Sequence, residues 1–139
     1  MRLITTHTAA TSHSAQSVFS LWADPAGWPS WDSEVSEVHF AGIAKLGAQG
    51  QMRPASGPAT TFSITAYEQD RVFTNTSSLP GATLIFDHKV APTNDGATLQ
   101  VSIGVDGFLA PLWQRLLHKS MKSAARSSVT GLLEHLDAA

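Results

Sequence analysis

The residue in this sequence best suited to do chemistry is His88, which lies in the segment LIFDHKVAP. Leu84, Phe86, His88 and Val90 recur at every second position, and this spacing predicts a β-strand that turns all four toward one face. A buried imidazole needs a hydrogen-bond partner. It could bind a ligand carbonyl or hydroxyl, or act as a general acid or base. It could equally be a core histidine satisfied by a backbone carbonyl or an ordered water.

Other polar side chains are weaker candidates for chemistry. Arg53 and Met52 are neighbours on a predicted strand, so only one of them can face inward, and we expect Met52 to do so. Tyr67, the single tyrosine, has the opposite strand parity to Ile64 and is expected to point outward unless a bulge intervenes. No second acid, base or tyrosine is therefore expected beside His88.

Several classes of site are disfavoured by the sequence. The six histidines show no HxxxH or HExxH spacing and there is no cysteine, so we expect no metal site. No G-x-S-x-G, Walker or dinucleotide-binding motif is present. We therefore expect no cofactor, and any enzymatic activity would act on an organic substrate without a phosphate-bearing cofactor.

The composition is typical of a globular protein. Apolar residues make up 42% and charged residues 14% of the 139 positions, which predicts a single domain over residues 1–139. The formal net charge of −2 argues against nucleic acid as a partner. Without a signal peptide, a long apolar segment or a cysteine, the protein is expected to be cytoplasmic, a monomer or homodimer, and not integral to a membrane.

The order of elements places His88 in the second half of a β-meander. A threonine-rich strand over residues 2–11 is followed by a short amphipathic helix and a compact turn that contains Trp28 and Trp31. Six strand patterns, separated by Gly, Pro and Asp turn signals, then extend to residue 107. In the last of them, alternate residues from Leu99 to Val105 share one apolar face.

A long helix is predicted from Leu109 to Ala138, with Gly131 as its only interruption. The helical period collects apolar residues on one broad side and basic residues opposite, so the helix is expected to lie across the sheet. Its apolar side is bulky at both ends but carries Ser120, Ala124 and Ser128 in the middle. The helix could therefore cover a cavity, or bulky residues of the sheet could fill that space.

Four passages of the sequence resemble the START-related (SRPBCC) superfamily and, within it, the polyketide cyclase/dehydrase-like proteins. They are SAQSVFSLWADPAGWPSWDSEV, similar to the opening helix pair; LPGATLIFDHKVAP, similar to the sixth strand; NDGATLQVSIGVDG, similar to the seventh strand and its hairpin; and GFLAPLWQRLL, similar to the start of the closing helix. The resemblance implies an α+β helix-grip (START/Bet v 1-like) fold, in which a curved seven-stranded antiparallel sheet carries two short helices and one long C-terminal helix. It also implies a cavity between sheet and helix, which this superfamily uses for lipids, sterols, plant hormones, polyketides and aromatic substrates.

Three functions are consistent with this resemblance. The first is binding of a small hydrophobic or aromatic ligand, including lipids, in the cavity, with His88 as a polar anchor. The second is a polyketide cyclase or dehydratase that uses His88, the tentative catalytic residue, as general acid or base. The third is a stress or assembly protein with a vestigial pocket, whose basic helix face binds a partner.

Eleven residues are expected to contact the ligand, because they belong to the inward strand faces, to the corner before the helix or to the helix itself. They are Met52, Phe62, Ile64, Phe86, His88, Val101, Ile103, Phe108, Leu112, Leu116 and Ser120. Trp28 and Trp31 are expected to be mainly structural anchors, although either could border the entrance.

Overall fold

The computed structural model describes residues 1–139 and contains seven strands, three α-helices and one 3₁₀ helix. In chain order these are β1 (Arg2–Thr11), α1 (Ala15–Trp22), the 3₁₀ helix (Pro25–Ser30), β2 (Val35–His39), β3 (Gln49–Pro54), β4 (Thr60–Glu68), β5 (Val72–Leu79), β6 (Ala82–Thr93), β7 (Gly96–Asp106), α2 (Ala110–Met121) and α3 (Ala124–Ala138). No helix combines the length and the hydropathy that crossing a membrane requires.

The seven strands form one antiparallel sheet in the order β1-β7-β6-β5-β4-β3-β2. Strands β2 to β7 therefore follow one another as a meander, and β1 returns to pair with β7 at the far edge. The curved antiparallel sheet that the sequence predicted is confirmed.

The inward face of the sheet is built from rows of directly paired residues. His88 on β6 lies opposite Phe73 on β5 and Val101 on β7, and the next row contains Asn75, Phe86 and Ile103. Because alternate residues of a strand point to the same face, these two rows lie side by side on the concave surface. This is the surface that the helices cover.

Helix α1 packs its apolar residues onto one end of this surface. The Ser14 hydroxyl caps the helix by accepting a hydrogen bond from the backbone N–H of Ser17 at 3.0 Å, which satisfies one of the free donors of the first turn. Val18, Phe19 and Trp22 are fully buried. The α1 helix therefore closes one end of the core with large side chains.

A β-bulge in β4 reverses the expected direction of Tyr67. The pairing with β5 shifts between Ile64 and Ala66, and such an extra residue inverts the parity of everything after it. The Tyr67 ring accordingly lies against Phe19 and Phe73, with centroids 5.4 Å and 6.1 Å away. The outward orientation predicted from simple alternation was wrong, although the phenol still lies outside the cavity described below.

The long C-terminal helix is present, with one interruption that the sequence did not indicate. The helix is divided into α2 and α3 by a turn at Lys122 and Ser123. The Thr5 hydroxyl on β1 donates a hydrogen bond to the Lys122 carbonyl at 2.9 Å. This bond satisfies a carbonyl that a continuous helix would pair internally.

Gly131, by contrast, lies inside α3 and does not interrupt it. A Cβ atom at this position would overlap the carbonyl oxygen of Trp31. The glycine therefore allows α3 to approach the backbone that follows the 3₁₀ helix, and this close contact fixes Trp31 and Asp32 against the helix.

Candidate functional site

A cavity of about 380 Å³ lies between the concave face of the sheet and the helices. The sheet contributes mainly apolar residues to its wall, among them Leu84, Phe86, Val101 and Ile103. The C-terminal helices cover it with six residues, four of which are small or flexible. These six are Trp113, Leu117, Ser120, Met121, Ala124 and Ser128.

The β3–β4 loop marks the opening of the cavity. Residues 55–58 are part of the lining and are exposed to solvent. Trp28 and Trp31, which also line the cavity, are by contrast only 6% and 8% exposed. The tryptophans therefore form an inner wall, and the loop borders the mouth.

His88 is held on the cavity wall as a neutral imidazole. Its Nδ1 lies 2.8 Å from the carbonyl oxygen of Phe73, and because a carbonyl only accepts hydrogen bonds, Nδ1 carries the proton. Burial lowers the pKa of His88 from 6.5 to about 4, against the opposing effects of the Phe73 carbonyl and the Asp87 charge. The backbone of Phe86 raises the pKa of His88 in the same way, by a smaller amount. Because the neutral ring carries its proton on Nδ1, Nε2 can act only as an acceptor.

Two further polar side chains on the inward face of β5 have no partner. Asn75 and Ser77 are 2% and 4% exposed, and both line the cavity. The Asn75 Oδ1 and the Ser77 hydroxyl form no hydrogen bond, and neither does the indole N–H of Trp31. Since buried polar groups are normally paired, this part of the wall has unused hydrogen-bonding capacity.

The charged groups on the cavity wall are acidic. Burial raises the pKa of the Asp32 carboxyl from 3.8 to about 6, and the Glu34 charge acts in the same direction. The backbone N–H of Glu34 donates to Asp32 Oδ1 at 3.0 Å and, together with the Ser128 hydroxyl, partly offsets this effect. No lysine or arginine lines the cavity, and no three His, Asp or Glu side chains converge as a metal site.

Six of the eleven residues predicted to contact a ligand line the cavity. They are Met52, Phe86, His88, Val101, Ile103 and Ser120. Met52 faces inward and is 9% exposed, whereas its neighbour Arg53 points to solvent beside Glu37. All of the six except Ser120 lie on strands, and they face the same side of the sheet because alternate residues of a strand point to the same face.

The other five predicted contacts do not line the cavity. Phe62 and Ile64 are fully buried in the core, where the Phe62 ring packs on Trp28 at 5.1 Å. Phe108, Leu112 and Leu116 are 83%, 49% and 60% exposed. The predicted orientations of Leu112 and Leu116 were wrong because α2 turns the adjacent stripe of Trp113 and Leu117 toward the sheet. The prediction for Phe108 was wrong because this residue lies in the turn before α2 and faces solvent.

Sequence reasoning missed the polar part of the site. Asn75 and Ser77 lie in VFTNTSSL, where they separate the apolar inward residues Phe73 and Leu79, so the apolar alternation is interrupted in the middle of the strand. Their pairing with Phe86 and Leu84 on β6 is the feature that places them inward. Asp32 was missed because a half-buried carboxyl after a turn has no sequence signature.

The chain matches a family model over residues 3–139, and the description of that family is polyketide cyclase / dehydrase and lipid transport. The protein belongs to this family. The family that the sequence resemblance indicated is therefore confirmed. No curated protein matches the sequence of this chain significantly.

Solved structures with the same fold have low sequence identity to this family member. Protein MLL2253 from Mesorhizobium loti is 18% identical with a TM-score of 0.72, and 95% of each chain is covered. Ara h 8.0201 is 13% identical with a TM-score of 0.73, covering 96% of this chain and 97% of that one. A START superfamily protein from Mycobacterium smegmatis is 14% identical with a TM-score of 0.69, covering 94% and 97%. These similarities show a START/Bet v 1 helix-grip fold.

Proposed function

We propose that this protein binds a small hydrophobic or aromatic molecule in the cavity between its sheet and its C-terminal helices. The observation that carries the proposal is the open volume of about 380 Å³, which lies within the range of roughly 300–1,000 Å³ found for small-molecule sites. The family description, which names lipid transport as well as cyclase and dehydrase activity, supports the same class of function.

The apolar wall supplies free energy for binding an apolar ligand. Removing about 200 Å² of apolar ligand surface from water contributes roughly 5 kcal/mol. Part of this is offset by the lost freedom of the ligand. Contacts with Phe86, Val101 and Ile103 on the sheet and Leu117 on α2 would provide this burial. Because roughly 5 kcal/mol corresponds to a Kd of about 0.2 mM, apolar burial of this size alone supports an affinity no tighter than that.

The state of His88 argues against its role as the general acid of a cyclase or dehydratase. With a pKa of about 4, the imidazole is not protonated at neutral pH and Nε2 is a weak base. Its single N–H is already donated to Phe73. A general acid would need a proton at the cavity, which this tautomer does not present there.

A vestigial pocket is the least favoured of the three functions. A pocket that had lost its ligand would be expected to fill with side chains, since protein interiors pack closely. Here Ser120, Ala124 and Ser128 leave the space beneath the helices open. The basic residues of α2 and α3 remain exposed to solvent, as for any solvated helix face.

Titration with the uncharged fluorophore N-phenyl-1-naphthylamine tests the proposal. We expect saturable fluorescence enhancement with wild-type protein and its loss in Ala124→Leu, where the larger side chain occupies the cavity. Leu116→Gln is the matched control, because Leu116 is exposed and lies outside the lining. Absence of saturable binding, or equal binding by Ala124→Leu, would show that the cavity is not the site.

A further inference from the structure

We propose that the ligand is an aromatic molecule that carries a hydroxyl or N–H donor and no anionic group. This inference rests on the proposed function and makes it more specific. It depends on the polar atoms and charges of the cavity wall, which are independent of the cavity's size.

His88 is the reason that the ligand must carry a hydrogen-bond donor. The Phe73 carbonyl occupies the Nδ1 proton, so the only free hydrogen-bonding atom of the imidazole is Nε2, an acceptor. His88 is 9% exposed and lines the cavity, so we assign a donor on the bound ligand as the partner of this acceptor. A ligand hydroxyl or N–H supplies the missing proton, whereas a ligand carbonyl does not.

Asn75 provides a second point of recognition. Asn75 is 2% exposed and lines the cavity, and its side-chain Oδ1 has no hydrogen-bond partner. Asn75 is paired with Phe86, and His88 with Phe73, so Asn75 and His88 are diagonal neighbours on the same face. Such neighbours lie about 7–8 Å apart, and one substituted aromatic ring system can therefore reach both.

The aromatic character follows from the side chains that surround these polar groups. Trp28, Trp31, Phe86 and Trp113 all line the cavity. Indole and phenyl rings favour stacked or edge-on contacts with another ring. A flat aromatic ligand can make such contacts while its substituent approaches His88.

The charge of the wall disfavours an anion. Asp32 and Glu34 line the cavity and no lysine or arginine does. A carboxylate entering this space would lose its hydration without gaining a cationic partner. Fatty acids, which the lipid-binding expectation included, should therefore bind more weakly than uncharged ligands of similar size.

Three naphthalene derivatives of nearly equal shape separate these contributions. We would measure binding of 2-naphthol, 2-methylnaphthalene and 2-naphthoate at pH 7 by displacement of N-phenyl-1-naphthylamine from the intact protein. The expected order is 2-naphthol tighter than 2-methylnaphthalene by about tenfold, equivalent to one net hydrogen bond. We expect 2-naphthoate to bind more weakly than both.

Two variants test whether residues of the cavity wall cause the tighter binding of 2-naphthol. His88→Phe keeps a packed ring and should reduce 2-naphthol affinity to that of 2-methylnaphthalene, leaving the latter unchanged. Ser78→Ala, a substitution on the exposed face of β5, is the control and should leave both affinities unchanged.

The possible outcomes separate the two proposals. If 2-methylnaphthalene and 2-naphthol bind equally well to wild type, or if 2-naphthoate binds as tightly as 2-naphthol, the inference about ligand chemistry is wrong while small-molecule binding stands. If none of the three displaces the fluorophore, the proposed function itself fails.

Discussion

The Nδ1 atom of His88 donates a hydrogen bond to the carbonyl oxygen of Phe73 across the β5–β6 pair, over 2.8 Å. This bond determines the tautomer and leaves Nε2 as an acceptor on a residue that lines the cavity. Burial beside Trp22, whose ring centroid is 5.2 Å away, keeps the ring neutral. The polar anchor of the site is thus specified by one backbone carbonyl.

The pH dependence of stability should contain two opposing contributions. The pKa of His88 falls from 6.5 to about 4 on folding, so the stability it contributes is present above pH 6.5 and lost as the pH falls toward 4, by about 3 kcal/mol. The pKa of Asp32 rises from 3.8 to about 6, so its contribution is present below pH 3.8 and lost as the pH rises through 6. We expect the two to cancel in part.

Two variants separate these contributions. Urea unfolding of Asp32→Asn should show stability falling more steeply than in wild type as the pH is lowered from 6.5 to 4, because only the His88 effect remains. His88→Phe should show the reverse change relative to wild type over the same range. Parallel pH profiles for all three proteins would mean that neither group is perturbed as described.

Gly131 should be intolerant of even one added methyl group. A Cβ there would overlap the carbonyl oxygen of Trp31, so Gly131→Ala should lower the free energy of unfolding by about 1–3 kcal/mol despite the higher helix propensity of alanine. Thr130→Ala, on the exposed side of the same helix, should stay within about 0.5 kcal/mol of wild type. Equal unfolding midpoints in urea for the two variants would contradict the close contact.

The adjacent residues Ala124 and Ala125 should respond differently to the same substitution. Both are buried, but only Ala124 lines the cavity. Ala125→Leu should overpack the core and lower the free energy of unfolding by about 1–3 kcal/mol. Ala124→Leu should extend into open space and leave it within about 1 kcal/mol of wild type, as measured by thermal denaturation. Equal losses would indicate that the cavity is closed by packing.

Leu112 and Leu116, on the exposed side of α2, should contribute little to stability. Leu112→Gln and Leu116→Gln should each change the free energy of unfolding by no more than about 0.5 kcal/mol, because both side chains already face solvent. Leu132→Ala, at a fully buried position of α3, should cost about 2–5 kcal/mol. A large loss in either glutamine variant would place that leucine against the sheet, as the sequence had predicted.

The inward face of the sheet could be predicted from the sequence because each residue of a regular strand can point to only one of two faces. Phe86, His88, Val101 and Ile103 share the concave face as their spacing predicted. Tyr67 departs from this rule because a bulge has no sequence signature and inverts the strand after it.

The helices were harder to orient. Leu112 and Leu116 form one apolar stripe of α2, with Phe108 just before the helix, and Trp113 and Leu117 form the next stripe, about 100° away. The sequence cannot choose between two apolar stripes, because the choice depends on where the sheet lies. The turn at 122–123 was also not predictable, since it contains neither glycine nor proline.

The most direct test of ligand binding in the cavity is two-dimensional ¹H–¹⁵N NMR of the labelled protein during titration with N-phenyl-1-naphthylamine. We predict saturable shifts confined to the backbone amides of Asn75, Ser77, His88 and Ile103 and of the α2–α3 junction. Shifts centred on Leu112 and Leu116, or no saturable shifts at all, would contradict it.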